Sequence, residues 1–143
     1  MRQPINFLLI GAVLSTFFAF ASPAIAQTAK ADKAIGVRSS YDHCIDRSGD
    51  TTPAMRDCIS TEFGYQDSRI KRVYNRLLAS LNQSEQEQLR QSQQAWHTTM
   101  MAYCDAGPEP GQGQELSAYS CSLEETTKRA AIFEYMEHSM KNE

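Results

Sequence analysis

The sequence predicts an all-α domain in which two long antiparallel helices carry a third packed helix and two disulfides stabilise the whole. Three observations predict it. Apolar residues recur at steps of three, four and seven over two long segments and a third near the C-terminus, which is a helical period. No stretch of useful length alternates apolar and polar residues as a half-buried strand does, and no internal repeat occurs. Four cysteines, Cys44, Cys58, Cys104 and Cys121, fall in a short chain that opens with an export signal, the setting in which cysteines pair.

The export signal has three parts. Arg2 supplies a short positive region, and residues 5–20 form an apolar run broken only by small or weakly polar side chains. Ala24-Ile25-Ala26 then places small residues at the −3 and −1 positions of a cleavage site before Gln27, so residues 1–26 read as a secretory signal peptide. A membrane anchor is the competing reading. The run is short for a span, however, and Ser22-Pro23 follows it rather than a basic flank. No cysteine lies near the cleavage site, which argues against a lipoprotein. Removing 26 of 143 residues leaves 117, one domain's worth, expected in the periplasm or outside the cell with no membrane span. Loss of Arg2 takes the formal charge from −3 to −4. That balance speaks against nucleic acid or anionic lipid, which need a basic patch, and suits a cationic protein partner.

Residues 27–40 are rich in Ala, Lys and Ser without an apolar period and read as a flexible leader; the helical domain is expected over residues 41–143. Tyr41 to Arg47 predicts one helical turn carrying Cys44, and Ser48-Gly49-Asp50 a turn. The first long helix begins with Thr52 as cap and Pro53 at the first helical position, where its missing N–H is no loss. Its stripe runs Met55, Ile59, Phe63, Ile70, Val73, Tyr74, Leu77 and Leu81. Glu62, Gln66 and Asp67 interrupt it, either as solvated flank or as a polar layer or binding surface with satisfied partners. Asn82-Gln83 ends this helix, and Ser84 to Glu87 has the form of a capping box for the next. The second long helix sets Leu89, Gln93, Trp96, Met100 and Tyr103 on one face. So short a connection makes the two helices antiparallel neighbours. Gly107 suits a C-terminal cap and Pro108 a stop. A Gly-, Pro- and Gln-rich loop follows from Ala106 to Leu116. Ser117 to about Met140 reads as the third helix, with Leu123, Thr126, Ala130, Phe133, Met136 and Met140 towards the core.

The cysteines gather at one end. Counted from a turn between Asn82 and Gln83, Cys58 lies about 24 residues before and Cys104 about 22 after, nearly level at 1.5 Å per residue. Cys44 precedes the first long helix, and Cys121 opens the third after the loop. The local pairs Cys44–Cys58 and Cys104–Cys121 are favoured, each pinning an irregular segment to its neighbouring helix. Cys58–Cys104 with Cys44–Cys121 is the rival.

The catalytic inventory is thin. His43, His97 and His138 lie on separate segments, and the cysteines are committed to disulfides, so no soft-ligand metal set and no cofactor is expected. Glu85, Glu87, Glu124 and Glu125 read as acids near helix ends rather than as paired catalytic carboxylates. No nucleophile elbow, phosphate-cradling glycine loop or zinc-protease motif occurs. Trp96, the only tryptophan, is read as the core anchor between the three helices, with a surface hot spot as the alternative. The chain is expected to bind rather than catalyse.

Taken in order, the chain sets Cys44, then Met55-x-x-Cys58, Glu62, Asp67-x-x-Ile70-x-x-x-Tyr74, Gln93-x-x-Trp96, Cys104, Cys121 and Thr126-x-x-Arg129. This ordered set resembles the lysozyme-inhibitor LprI family of small exported bacterial proteins, from about Tyr41 to Tyr135. Two departures stand out: Met100 and Met101 occupy the places of an Arg-Asp pair in the family pattern, and Ile70-Lys71 those of Leu-Asn. The resemblance implies an envelope protein that binds a lysozyme-type muramidase and blocks its cleft with no chemistry of its own. It marks Glu62, Asp67, Tyr74, Gln93, Trp96, Thr126 and Arg129 as family-pattern positions. The loop between Cys104 and Cys121 is the candidate contact element, through Glu109, Gln112 and Glu115, because loops on rigid scaffolds often carry function. An envelope module with a different partner, a bacterial protein or a cell-wall fragment, is the alternative reading; a small hydrolase is a third.

Overall fold

The computed structural model describes residues 36–142. The segments read as signal peptide, cleavage site and leader up to residue 35 lie outside these. Among the described residues there are four helices and no strand: α1 (Ser39–Asp46), α2 (Thr52–Ser80), α3 (Gln83–Tyr103) and α4 (Gln112–Met140). None of these helices is long and apolar enough to cross a membrane.

The two long helices predicted as neighbours, α2 and α3, are antiparallel. The most intimate packing, however, joins α2 to α4, while α3 stands further off from both. α2 and α4 run parallel. Their side chains meet in register along the whole length, as Arg56 with Glu115, Arg69 with Glu134 and Arg76 with Glu137. The core lies towards the α2–α3 turn and comprises Ile70, Val73, Leu77, Leu89, Ala130 and Phe133, with Tyr74, Leu78, Leu81, Trp96 and Met136 packed against it. The Tyr74 and Phe133 rings stack at 5.7 Å. At the opposite end the apolar filling is thinner, and there the two disulfides close: Cys44–Cys58 and Cys104–Cys121, the local pairs.

Several boundaries differ from the sequence reading, each for a local reason. α1 is two turns rather than one. Thr51, not Thr52, stands at the N-cap position of α2 and makes no side-chain cap; Gly49 and Asp50 before it take positive φ (61° and 56°), and the Thr51 hydroxyl donates back to the Ser48 carbonyl at 3.0 Å. The capping box of α3 is Asn82 with Glu85, two residues earlier than the Ser84–Glu87 reading. The Asn82 side chain accepts from the Glu85 N–H (3.1 Å) and Glu85 accepts from the Asn82 N–H (3.0 Å). Asparagine ranks with serine as a cap, and Glu85 stands three residues on. Gln86 strengthens this register by donating to the Leu78 and Leu81 carbonyls, both at 2.9 Å. α3 ends at Tyr103 with Cys104 as its cap, so Gly107 (φ 85°) serves within the loop instead. α4 begins at Gln112 rather than Ser117, because the Gln114 side chain accepts from the Gly111 N–H and Ser117 donates to the Gly113 carbonyl. Tyr103 and Met140, expected to face inwards, are exposed.

Candidate functional site

The residues singled out in the sequence separate into three places. Glu62 belongs to a buried polar layer. It is 1% exposed and Gln66 is wholly buried, so the alternative of a satisfied polar layer holds for both and that of solvated flank does not. Arg38 donates to Glu62 through its backbone N–H (3.1 Å) and its Nε (2.8 Å). Gln66 Nε2 donates to Glu62 Oε1 (2.8 Å) and to the Gly36 carbonyl (2.9 Å). Arg69 donates to Gln66 Oε1 (2.9 Å) and to Glu134 of α4 (2.7 Å). The final residues of the segment read as a leader, Gly36 to Ser40, are thereby fastened to α2, and Ser39 already opens α1. Gly36 has φ +98°, and a Cβ there would come within 2.7 Å of an Arg69 guanidinium nitrogen. The Arg38 guanidinium also lies over the Tyr65 ring at 4.0 Å. Burial, with Asp42 and Glu62 nearby, pushes the Tyr41 hydroxyl up.

A second group lines one cleft. Asp67, Tyr74, Gln93, Trp96 and Thr126 converge there with Phe63, Ile70, Lys71, His97 and Met100, around a volume of about 380 Å³. The cleft exists because α3 stands off from α2, leaving α4 to supply the floor through Thr126. Lys71 donates to Asp67 at 2.7 Å on the outer rim. Arg129 flanks the cleft, donating to Gln93 Oε1 (3.0 Å) and Ser92 Oγ (2.9 Å). Its guanidinium lies 4.5 Å from the Phe133 ring centre and 5.7 Å from that of Trp96. Burial pushes the Arg129 group down from its ordinary value, though a guanidinium stays charged throughout. Trp96 is half-buried, packed on the core with one side on the cleft.

His97 and Met100 were not singled out as site residues, and the spacing held the signal. Gln93, Trp96, His97 and Met100 step by three, one and three along α3, facing Phe63, Asp67, Ile70 and Tyr74 on α2. The two methionines at the departure part company: Met100 is buried in the cleft wall and Met101 is 57% exposed outside it.

The third group is the candidate contact loop, which is shorter than expected and spans residues 104–111. Glu109 lies exposed on it. Gln112 and Glu115 sit in the first turn of α4, where Glu115 pairs with Arg56 of α2. The loop is anchored at its root by Cys104–Cys121, and Asp105 accepts from the Gly107 N–H at 3.2 Å.

No group of three or more His, Cys, Asp and Glu among the described residues stands close enough to hold a metal, and the three histidines lie exposed on separate helices. A family model described as lysozyme inhibitor LprI matches residues 44–132, more than half of the chain and a span that includes all four cysteines. The chain belongs to the LprI family. Comparison with curated proteins and with solved structures found no match. In this LprI-family chain both disulfides, five of the seven family-pattern positions in the cleft, and Arg129 beside them all fall within the matched span.

Proposed function

We propose that this protein is an exported binder that inhibits a lysozyme-type muramidase by occluding its cleft, making and breaking no bond itself. The family match across residues 44–132 carries the reading. Two closed disulfides agree with residence in an oxidising compartment, the periplasm or the exterior. A mature formal charge of −4 suits approach to a cationic enzyme by electrostatic steering. The contact element is the stapled 104–111 loop with the first turn of α4. Exposed Tyr103 and Met101 beside it supply apolar surface, and Asp105 and Glu109 supply negative charge. Glu115 is held by Arg56, which leaves Glu109 and Gln112 as the loop-end polar groups for a partner.

The test is muramidase turnover on cell-wall substrate, titrated with the disulfide-bonded protein and with a reduced, alkylated control. Stoichiometric inhibition by the first and none by the second is the expected result, and high salt weakens it. Unchanged turnover with several lysozyme classes would assign the protein to a different envelope partner. Degradation of peptidoglycan by the protein alone would make it a hydrolase.

A further inference from the structure

The cleft between α2 and α3 has a chemistry that cleft occlusion by the loop end does not use. Phe63, Ile70, Tyr74, Trp96 and Met100 make its walls aromatic and aliphatic, and its volume of about 380 Å³ lies in the range of small-molecule sites. Polar groups set into those walls make no hydrogen bond to other described residues and open on the cleft. Thr126 is 3% exposed as a residue, and its hydroxyl, which makes no hydrogen bond to another described residue, is not among the buried unpaired side-chain atoms and so keeps access to the cleft. The adjacent Thr127 shows the usual solution, donating to the Leu123 carbonyl at 2.8 Å. The Trp96 indole N–H, the Tyr74 hydroxyl and the His97 imidazole are likewise not hydrogen-bonded among the described residues. Gln93 spends only its Oε1, on Arg129, so its amide N–H groups remain available.

Charge narrows the ligand. Asp67 is paired with Lys71 at 2.7 Å, so the cleft lining itself carries no unmatched charge, and Arg129, which flanks it, is turned to Gln93 and Ser92. An acyl chain or an aliphatic side chain would cover the walls but leave Thr126, Trp96 and Gln93 unpaired. What fits is an uncharged molecule with a flat apolar face and a rim of hydroxyl or amide groups. We propose that this cleft binds a pyranose ring of a neutral oligosaccharide, its apolar face against the Trp96–Tyr74 wall and its polar rim on Thr126, Gln93 and His97.

Because Trp96 is the only tryptophan, its fluorescence reports the cleft directly. The disulfide-bonded protein is titrated with triacetylchitotriose and, separately, with cellotriose, which share the ring and differ in the acetamido groups. A saturable change with either sugar is expected, and a preference between them tells acetamido from plain hydroxyl recognition. Thr126→Val keeps the shape and deletes the hydroxyl, and should weaken binding about five- to tenfold. Gln93→Ala, a half-buried position outside the core cluster, should do the same, with circular dichroism confirming that both variants fold. No saturable response to either sugar up to about 10 mM overturns the proposal. So does equal affinity in both variants, or a response confined to an apolar dye that sugar does not displace. The readout contains no muramidase, so it stands or falls apart from the inhibitor reading.

Discussion

Glu62 places a carboxylate at 1% exposure beside Arg38, whose side chain is 38% exposed, and the two do not carry equal risk. Removing the cation strands a buried negative charge. Removing the anion only releases an arginine that can turn to water. Arg38→Ala should therefore cost about 3 kcal/mol, as breaking a buried pair does. Glu62→Gln retains an acceptor for Gln66 and should cost about 2 kcal/mol, the charge-assisted hydrogen bond from Arg38 Nε. Urea denaturation of the two variants checks the order, and a larger loss for Glu62→Gln would contradict it. This layer was only half legible in the sequence. Glu62 and Gln66 stand four apart on a helix, which shows that they share a face. Which groups cover that face depends on residues 36–38, some 24 to 30 positions away.

At the scale of elements, the α2–α3 connection and the α2–α4 seam each make a prediction. Asn82 caps α3 and Ser84 lies inside it, so Asn82→Ala should destabilise by about 1 kcal/mol while Ser84→Ala changes stability by a few tenths at most. Thermal melts of the two variants separate the capping boxes. The seam responds to acid. The Arg69 guanidinium bonded to Glu134 holds that carboxyl below its ordinary value, and Arg76 with Lys141 hold Glu137 down at about 2. Both acids bind a proton more readily unfolded, near 4.5, than folded. Their contribution is complete above pH 4.5 and is lost as pH falls through the folded values. The melting temperature should therefore drop between about pH 4.5 and 2. A Glu134→Gln/Glu137→Gln double variant should show a flatter profile over that window and start lower at neutral pH. A profile as steep as the parent's would place the acid sensitivity elsewhere.

Across the whole molecule, core and staples occupy opposite ends. The apolar cluster fills the end near the α2–α3 turn, whereas Cys44–Cys58 and Cys104–Cys121 hold the end where α1 and the 104–111 loop contribute little burial. Their sequence separations of 14 and 17 correspond to about 3 kcal/mol each in the chain-entropy picture. A Cys44→Ser/Cys58→Ser variant should lose that stability and release α1, raising amide exchange in residues 36–50 while residues 70–77 stay protected. Uniform loss of protection would show instead that the two ends fold as one unit.

The sequence by itself determined the helices, the antiparallel turn between the first two long ones and the family, and its favoured disulfide pairing proved correct. These follow from local or near-local physics: helical period, capping chemistry, a two-residue connection, and cysteines pinned beside the segments they tie down. The tertiary structure decided what pairs with what at long range. It made α4 rather than α3 the closest partner of α2, because ion pairs and core contacts match along those two parallel helices, whereas a short turn dictates direction and not distance. It opened a cleft where α3 stands away. There it gathered Asp67, Tyr74, Gln93, Trp96 and Thr126, residues spread over 59 positions of sequence, and sent Glu62 to a buried layer on another face. Helical spacing tells which residues share a face, but only packing tells what that face meets.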